Sequence, residues 1–247
     1  MISTQRTLDK ILEELNLQDF IEHDPILIPK RFTGKEDIEI SAFFAATLAW
    51  GQRKTIINNT NKIMHWMGEE PHRFLVEHSA KDLIVFEKFV HRTFNATDIL
   101  YFIEVLKRWY QNGESLEDYF TGNTMHDRIA HFHHAFFDND FVSDRTKKHI
   151  ANPAKNSSAK RLNMYLRWMV RKDDIDFGLW KSIHTSELKC PLDVHVQRAA
   201  FHFNLLTRTQ QDWKAVTELS DNLLLLDPMD PIKYDLALFK WSERKMD

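Results

Sequence analysis

Asp37-Ile-Glu-Ile-Ser-Ala-Phe-Phe-Ala-Ala-Thr-Leu-Ala-Trp50 is apolar on every side of a helical period, with Ile38, Ile40, Phe43, Phe44, Ala45, Ala46 and Leu48 spread around the wheel. A helix of that kind is buried among other helices. The spacing therefore predicts a central helix over residues 38–50 with Asp37 as its N-cap. Gly51 is suited to end it in the left-handed conformation, and Gln52-Arg53-Lys54 forms a polar turn before a second helix running to about Trp66.

Outward from this centre the pattern stays helical. Leu8, Ile11, Leu12 and Leu15 mark an amphipathic first helix, and a connector with Pro25 and Pro29 follows. Helices are expected over 97–110, at the capping box Ser115-Leu-Glu-Asp118 and over about 125–137, whereas residues 138–158 read as a loop. A further helix begins near Ser157 or Ser158, either of which can cap it. Thr209 with Asp212 opens the last long helix, and Asp227-Pro-Met-Asp-Pro231 is a doubled turn into the closing segment 234–241. No strand-like alternation persists, so the expected fold is all-α, compact and multi-helical. It is one domain over 1–247 or two intimate lobes, the central helices of about 37–140 against 1–36 and 141–247.

With 247 residues, 43% of them hydrophobic, the chain has ample material for a packed core. No run approaches the roughly 20 apolar residues that span a bilayer, and the start lacks a secretory layout. The expectation is a cytoplasmic, monomeric protein with no membrane partner. The single cysteine, Cys190, excludes an intramolecular disulfide and any site built on several thiolates. His131, His133 and His134 are spaced so that all three do not share one helix face, and Asp227, Asp230 and Asp235 are explained by turns and an N-cap. No metal and no cofactor are expected.

Charge is regional. Residues 145–172 hold nine Lys or Arg and no Asp or Glu, in a chain of formal net charge -3. A solvated helix face normally intersperses Glu with Lys, so an acid-free run of this length points to a polyanion. On a wheel of about 100° per residue, Lys160, Met164, Arg167 and Arg171 cluster as a cationic stripe, with Leu162, Leu166 and Met169 on the far side.

Three segments together resemble the helix-hairpin-helix superfamily of DNA glycosylases, over most of the chain from about residue 37. Leu48-Ala-Trp-Gly-Gln52 looks like the family's leading helix and the polar turn that reaches the duplex. Asn156-Ser-Ser-Ala-Lys-Arg-Leu-Asn163 is similar to the hairpin's second helix, where bifunctional members keep a nucleophilic lysine. Pro191-Leu-Asp-Val-His-Val-Gln-Arg198 looks like the segment bearing their essential aspartate. Within the superfamily the chain is most similar to an uncharacterised bacterial family known only as a domain of unknown function, and more distantly to archaeal 8-oxoguanine glycosylases. It departs in having Asn156-Ser157-Ser158 in place of Gly-Val-Gly, and in a longer gap from Lys160 to Asp193.

The resemblance implies a DNA N-glycosylase with lyase activity on a damaged base, an oxidised purine for example, with damaged duplex DNA as partner. Lys160 is the expected nucleophile: an amine reacts when its ammonium form is disfavoured, and Arg161, Arg167 and Arg171 on its own helix push that way. Asp193 supplies the anion for oxocarbenium character, although an Asp after Pro191 also reads as a plain helix cap. DNA contacts are expected from Gln52, Arg53, Arg145, Lys147, Lys148, Lys155, Ser157, Ser158, Arg161, Arg167, Arg171 and His195, with Gln52 or Arg53 as the plug of the vacated stack and Arg145, Lys147, Lys148 and Lys155 on the backbone. An extruded base would stack in a pocket formed by Trp50, Trp168 and Trp180. Two other functions fit the same residues: a non-catalytic nucleic-acid binder, or a helical protein unrelated to DNA that takes an acidic partner or a phosphorylated ligand.

Overall fold

In a computed structural model, which describes residues 2–139 and 141–245, the α-helices run in chain order as α1 (Ile2–Glu13), α2 (Leu17–His23), α3 (Lys35–Thr47), α4 (Arg53–Trp66), α5 (Pro71–Glu77), α6 (Ala96–Gln111), α7 (Met125–Phe136), α8 (Asp144–Lys147), α9 (Lys160–Val170), α10 (Val194–His202), α11 (Trp213–Leu226) and α12 (Tyr234–Arg244). A two-stranded antiparallel hairpin, β1 (Val90–His91) with β2 (Phe94–Asn95), pairs Val90 with Asn95 and His91 with Phe94. The all-α expectation holds. Among the described residues no helix is long and apolar enough to cross a membrane.

The chain divides into two units, one of residues 1–20, 123–130 and 151–247, the other of residues 21–122 and 131–150. In the second of these α3 is the buried centre, with every residue from Ile38 to Thr47 buried. Its start differs from expectation. Gly34 holds the N-cap position and Asp37 lies in the first turn, because Lys35 and Glu36 favour one more helical turn. The Asp37 carboxylate instead accepts the backbone N–H of His72 at 2.9 Å, near the start of α5. Glu39 is buried but satisfied, accepting from the Tyr110 hydroxyl at 2.9 Å with Lys35 Nζ 3.6 Å away.

Aromatic rings fill the space around α3. Phe43 stacks on Phe102 at 5.8 Å and Phe102 meets Phe136 edge-on at 4.7 Å, a geometry that adds about 0.5–1.5 kcal/mol per pair beyond area burial. Asn95 caps α6 in a reciprocal box with Asp98. The expected loop at 138–158 contains the short helix α8.

The other unit is built on α9 to α12 and α1. α12 packs on α10 and on α1, and the Tyr234 hydroxyl donates to Asp9 at 2.9 Å. α9 begins at Lys160, later than its serines suggested. Asn156 and Ala159 both take left-handed backbone, with φ of 61° and 48°, so the chain turns through residues 156–159 before it can wind. Asn is the non-glycine residue that enters this region at least cost. Its amide donates to Asp212 Oδ2 at 3.1 Å, and Asp212, without Thr209, caps α11.

Candidate functional site

Lys160 is the first residue of α9 and Asp193 is the N-cap of α10. The turn at 156–159 delivers the lysine, and Pro191 and Leu192, both buried, deliver the aspartate. Lys160 Nζ donates to Asp193 Oδ2 at 3.0 Å, with the lysine side chain 33% and the aspartate 19% exposed. The other oxygen, Oδ1, accepts the backbone N–H groups of His195 at 2.9 Å and Val196 at 3.0 Å. Cap and ion pair are therefore one side chain, and the two readings of Asp193 do not compete.

Burial alone would raise the Asp193 carboxyl. The Lys160 ammonium and the Val196 amide outweigh it and hold the group below the usual carboxylate range. What results is a fixed anion against a primary amine, both reachable from solvent.

Behind this pair lies a buried charge network that the sequence reading did not anticipate. Arg167 donates through Nη1 to Asp235 Oδ2, and its Nε lies 3.3 Å from Asp176 Oδ1. Arg171 Nη1 reaches Asp176 Oδ2 at 2.9 Å, and its Nε is shared by the two oxygens of Asp230, each at 2.9 Å. Arg167 and Arg171 are only 4% and 7% exposed. The expected cationic stripe is thus corrected: of its charged members only Lys160 stays partly open, because Asp176, Asp230 and Asp235 draw the two arginines inward. Asp235 is no N-cap, and Asp230 does more than turn the chain. The signal was present as an arginine pair four residues apart with Asp-rich segments following it at 173–176 and 227–235, but sequence does not show which acid meets which base.

Asp235 is buried against α9, and burial pushes its carboxyl up to about 6 despite the Arg167 partner. Cys190 Sγ sits 3.8 Å from Asp235 Oδ1. Asp235 also feels the charges of Asp193 and Lys160, which couples the buried network to the exposed pair.

The remaining expected residues divide by unit. Beside Lys160, Arg161 is half-buried, with its guanidinium lowered by burial to about 10 and still cationic at neutral pH, and Lys155 is exposed. Ser157 Oγ accepts the Ala159 N–H at 3.3 Å, and the Ser158 carbonyl accepts from Asn163 Nδ2 at 3.0 Å. His195 meets Phe239 edge-on at 5.5 Å. Trp168 and Trp180 are core residues, fully covered, so neither presents a ring face on which a base stacks; the large apolar area of an indole drives it inward.

In the other unit Trp50 is half-buried, stacked on His149 at 6.0 Å and edge-on to His91 at 4.8 Å. Gln52 and Arg53 are exposed at the start of α4. Arg145 is committed to Asp98, 2.8 Å away, and to the Thr93 carbonyl. Lys147 pairs with Asp144 at 2.9 Å, while Lys148 is exposed. Arg145, Lys147, Lys160, Arg167 and Arg171 of the acid-free run thus meet carboxylates that lie outside it, whereas Lys148, Lys155 and Lys172 are exposed.

Residues 24–244 match the family described as "Protein of unknown function (DUF2400)", and the chain belongs to that family. No curated protein matches the chain. No solved structure matches it either.

Proposed function

We propose that this member of the family is a DNA-repair N-glycosylase with associated lyase activity, in which Lys160 is the nucleophile and Asp193 the stabilising anion. The observation that carries the reading is the 3.0 Å contact between the Lys160 amine and the Asp193 carboxylate, on two separate helix starts and partly open to solvent. The likeness of residues 156–163 and 191–198 to helix-hairpin-helix glycosylases supplies the reaction class, and the left-handed Asn156 suits a tight hairpin turn without glycine.

The chemistry follows from the pair. Asp193, already hydrogen-bonded to Nζ, is the group placed to take the ammonium proton. The free amine forms a bond to the sugar C1′ as the glycosidic C–N bond breaks, and the base leaves with that electron pair and takes the proton that Asp193 received. Opening of the sugar ring gives a Schiff base, and loss of a C2′ proton then expels the 3′ phosphate. Having passed that proton to the base, Asp193 is again a carboxylate, held by the cap of α10 as an anion for the positive charge at the sugar. Asp235 and Arg167 hold α9 against α12 and so fix where Nζ stands.

Borohydride reduction tests the reading. The wild-type chain, incubated with duplexes carrying an abasic site or an oxidised purine, should be trapped as a covalent adduct, and K160Q should give none. A lesion panel that yields no adduct with the wild type overturns the reading.

A further inference from the structure

The open face of α4 carries cations and amides and no acid. On the helical wheel Lys54, Asn58, Asn61, Lys62 and His65 fall within about 100° of one another, opposite the buried Ile56, Thr60, Ile63 and Met64. The acid-free stretch reaches from Ile40 to Gly68. The β1–β2 hairpin packs beside this helix, with His91 Nδ1 2.9 Å from Asn59 Nδ2. At the hairpin's tip, exposed Arg92 has left-handed backbone, φ 55°, and lays its guanidinium against Gly51: a side-chain carbon added to that glycine would stand 3.0 Å from Arg92 Nη1. Exposed Lys88 precedes the hairpin.

These cations differ from Arg145, Lys147, Lys160, Arg167 and Arg171, each of which meets a carboxylate. Among the described residues no carboxylate pairs with Lys54, Lys62, Lys88 or Arg92; Lys62 has only the Trp66 ring, 5.7 Å away. Like charges left together on one helix face repel, and a polyanion relieves that repulsion. From Lys54 to His65 the face is about 16 Å long, equal to about five steps of a nucleic-acid strand. A strand of that length presents about five phosphates to the face. Lysine and arginine meet phosphate by charge, while Asn58 and Asn61 can donate to phosphate or sugar oxygens.

We infer that the α4 face and the hairpin tip form a backbone-binding surface for nucleic acid, with Lys54, Lys62 and Arg92 as its principal cations. The inference rests on reading the chain as a DNA-acting protein and adds a contact set separate from Lys160 and Asp193.

The full-length triple variant K54E/K62E/R92E tests it by fluorescence anisotropy on a labelled undamaged duplex over a range of salt. Affinity at low salt should fall at least tenfold, and the slope of log K against log salt should shrink by about 2–3, near one for each lost phosphate contact, with unchanged thermal melting. Wild-type affinity and slope in the variant overturn the inference. A wild type that binds duplex through this surface but traps no adduct leaves it standing while the lyase reading falls. A wild type that traps, beside a variant that binds normally, removes this inference alone. Anionic phospholipid vesicles are the control: binding to them in place of duplex, lost in the variant, overturns it in favour of a membrane surface.

Discussion

Asp193 caps α10 with one carboxylate oxygen and accepts from the Lys160 ammonium, 3.0 Å away, with the other. One side chain thus fixes a helix start and the position of the amine beside it, and substitutions can separate the two duties.

Asn caps a helix about as well as Asp, whereas Ala does not. D193N should therefore cost under about 1 kcal/mol, since the partly exposed ion pair contributes little stability, and D193A about 1–2 kcal/mol. Both should slow adduct formation by about a hundredfold or more, because the proposed reaction uses the charge that is lost. Denaturant midpoints and trapping rates measure the two effects. Full trapping by D193N would remove the charge from the mechanism.

Arg167 is the cation between Asp235 and Asp176. Removing it leaves two buried carboxylates short of a partner, so R167A should lose about 3–5 kcal/mol in urea unfolding. R167K should recover only part of this, because an ammonium lacks the planar fork that reaches two carboxylates at once. A loss in R167A below about 1 kcal/mol, the range of exposed pairs, would mean the network is not buried as described.

The Asp235 carboxyl, raised by burial to about 6, titrates near 3.9 in an unfolded chain. Between those values the folded protein holds a proton that the unfolded chain lacks, so this group's contribution to stability rises as pH falls from 7 toward 5. Asp193 has the opposite sign: its lowered carboxyl stabilises the fold above the unfolded value and loses that contribution only in stronger acid. The Tm difference between wild type and D235N should accordingly shift in favour of the wild type between pH 7 and pH 5. A constant difference over that interval would show that Asp235 does not titrate there.

Asn156 holds a left-handed turn and bonds Asp212. N156A should lose about 1–2 kcal/mol, from left-handed strain and the missing hydrogen bond. N156G, which relieves the strain and loses only the bond, should lie closer to the wild type. Equal losses in both would place the whole effect in the side chain.

Helical periodicity made much of the architecture legible, since it follows from local burial: α4 ends at the expected Trp66, and α6 and α7 fall close to their expected spans. Helix starts were less legible. Gly34 and Ala159 take N-cap positions without a side-chain cap, and nothing in their chemistry advertises this. Lys160 and Asp193 stand out in the sequence as candidates, but their contact, 3.0 Å across 33 residues of chain, does not. The charge run misled more, because Arg145, Arg167 and Arg171 meet acids at Asp98, Asp235 and Asp230, 47 to 68 residues away. A local count of charge sees none of those partners.

Cys190 is fully buried beside Asp235, and burial raises its thiol well above the ordinary value. As the only sulfhydryl in the chain, it is silent toward alkylating dyes while the region between α9 and α12 stays closed, since the reactive thiolate scarcely forms there. Its labelling rate is then an intrinsic clock for the opening of the scaffold behind Lys160, readable in variant and wild type without adding any reporter.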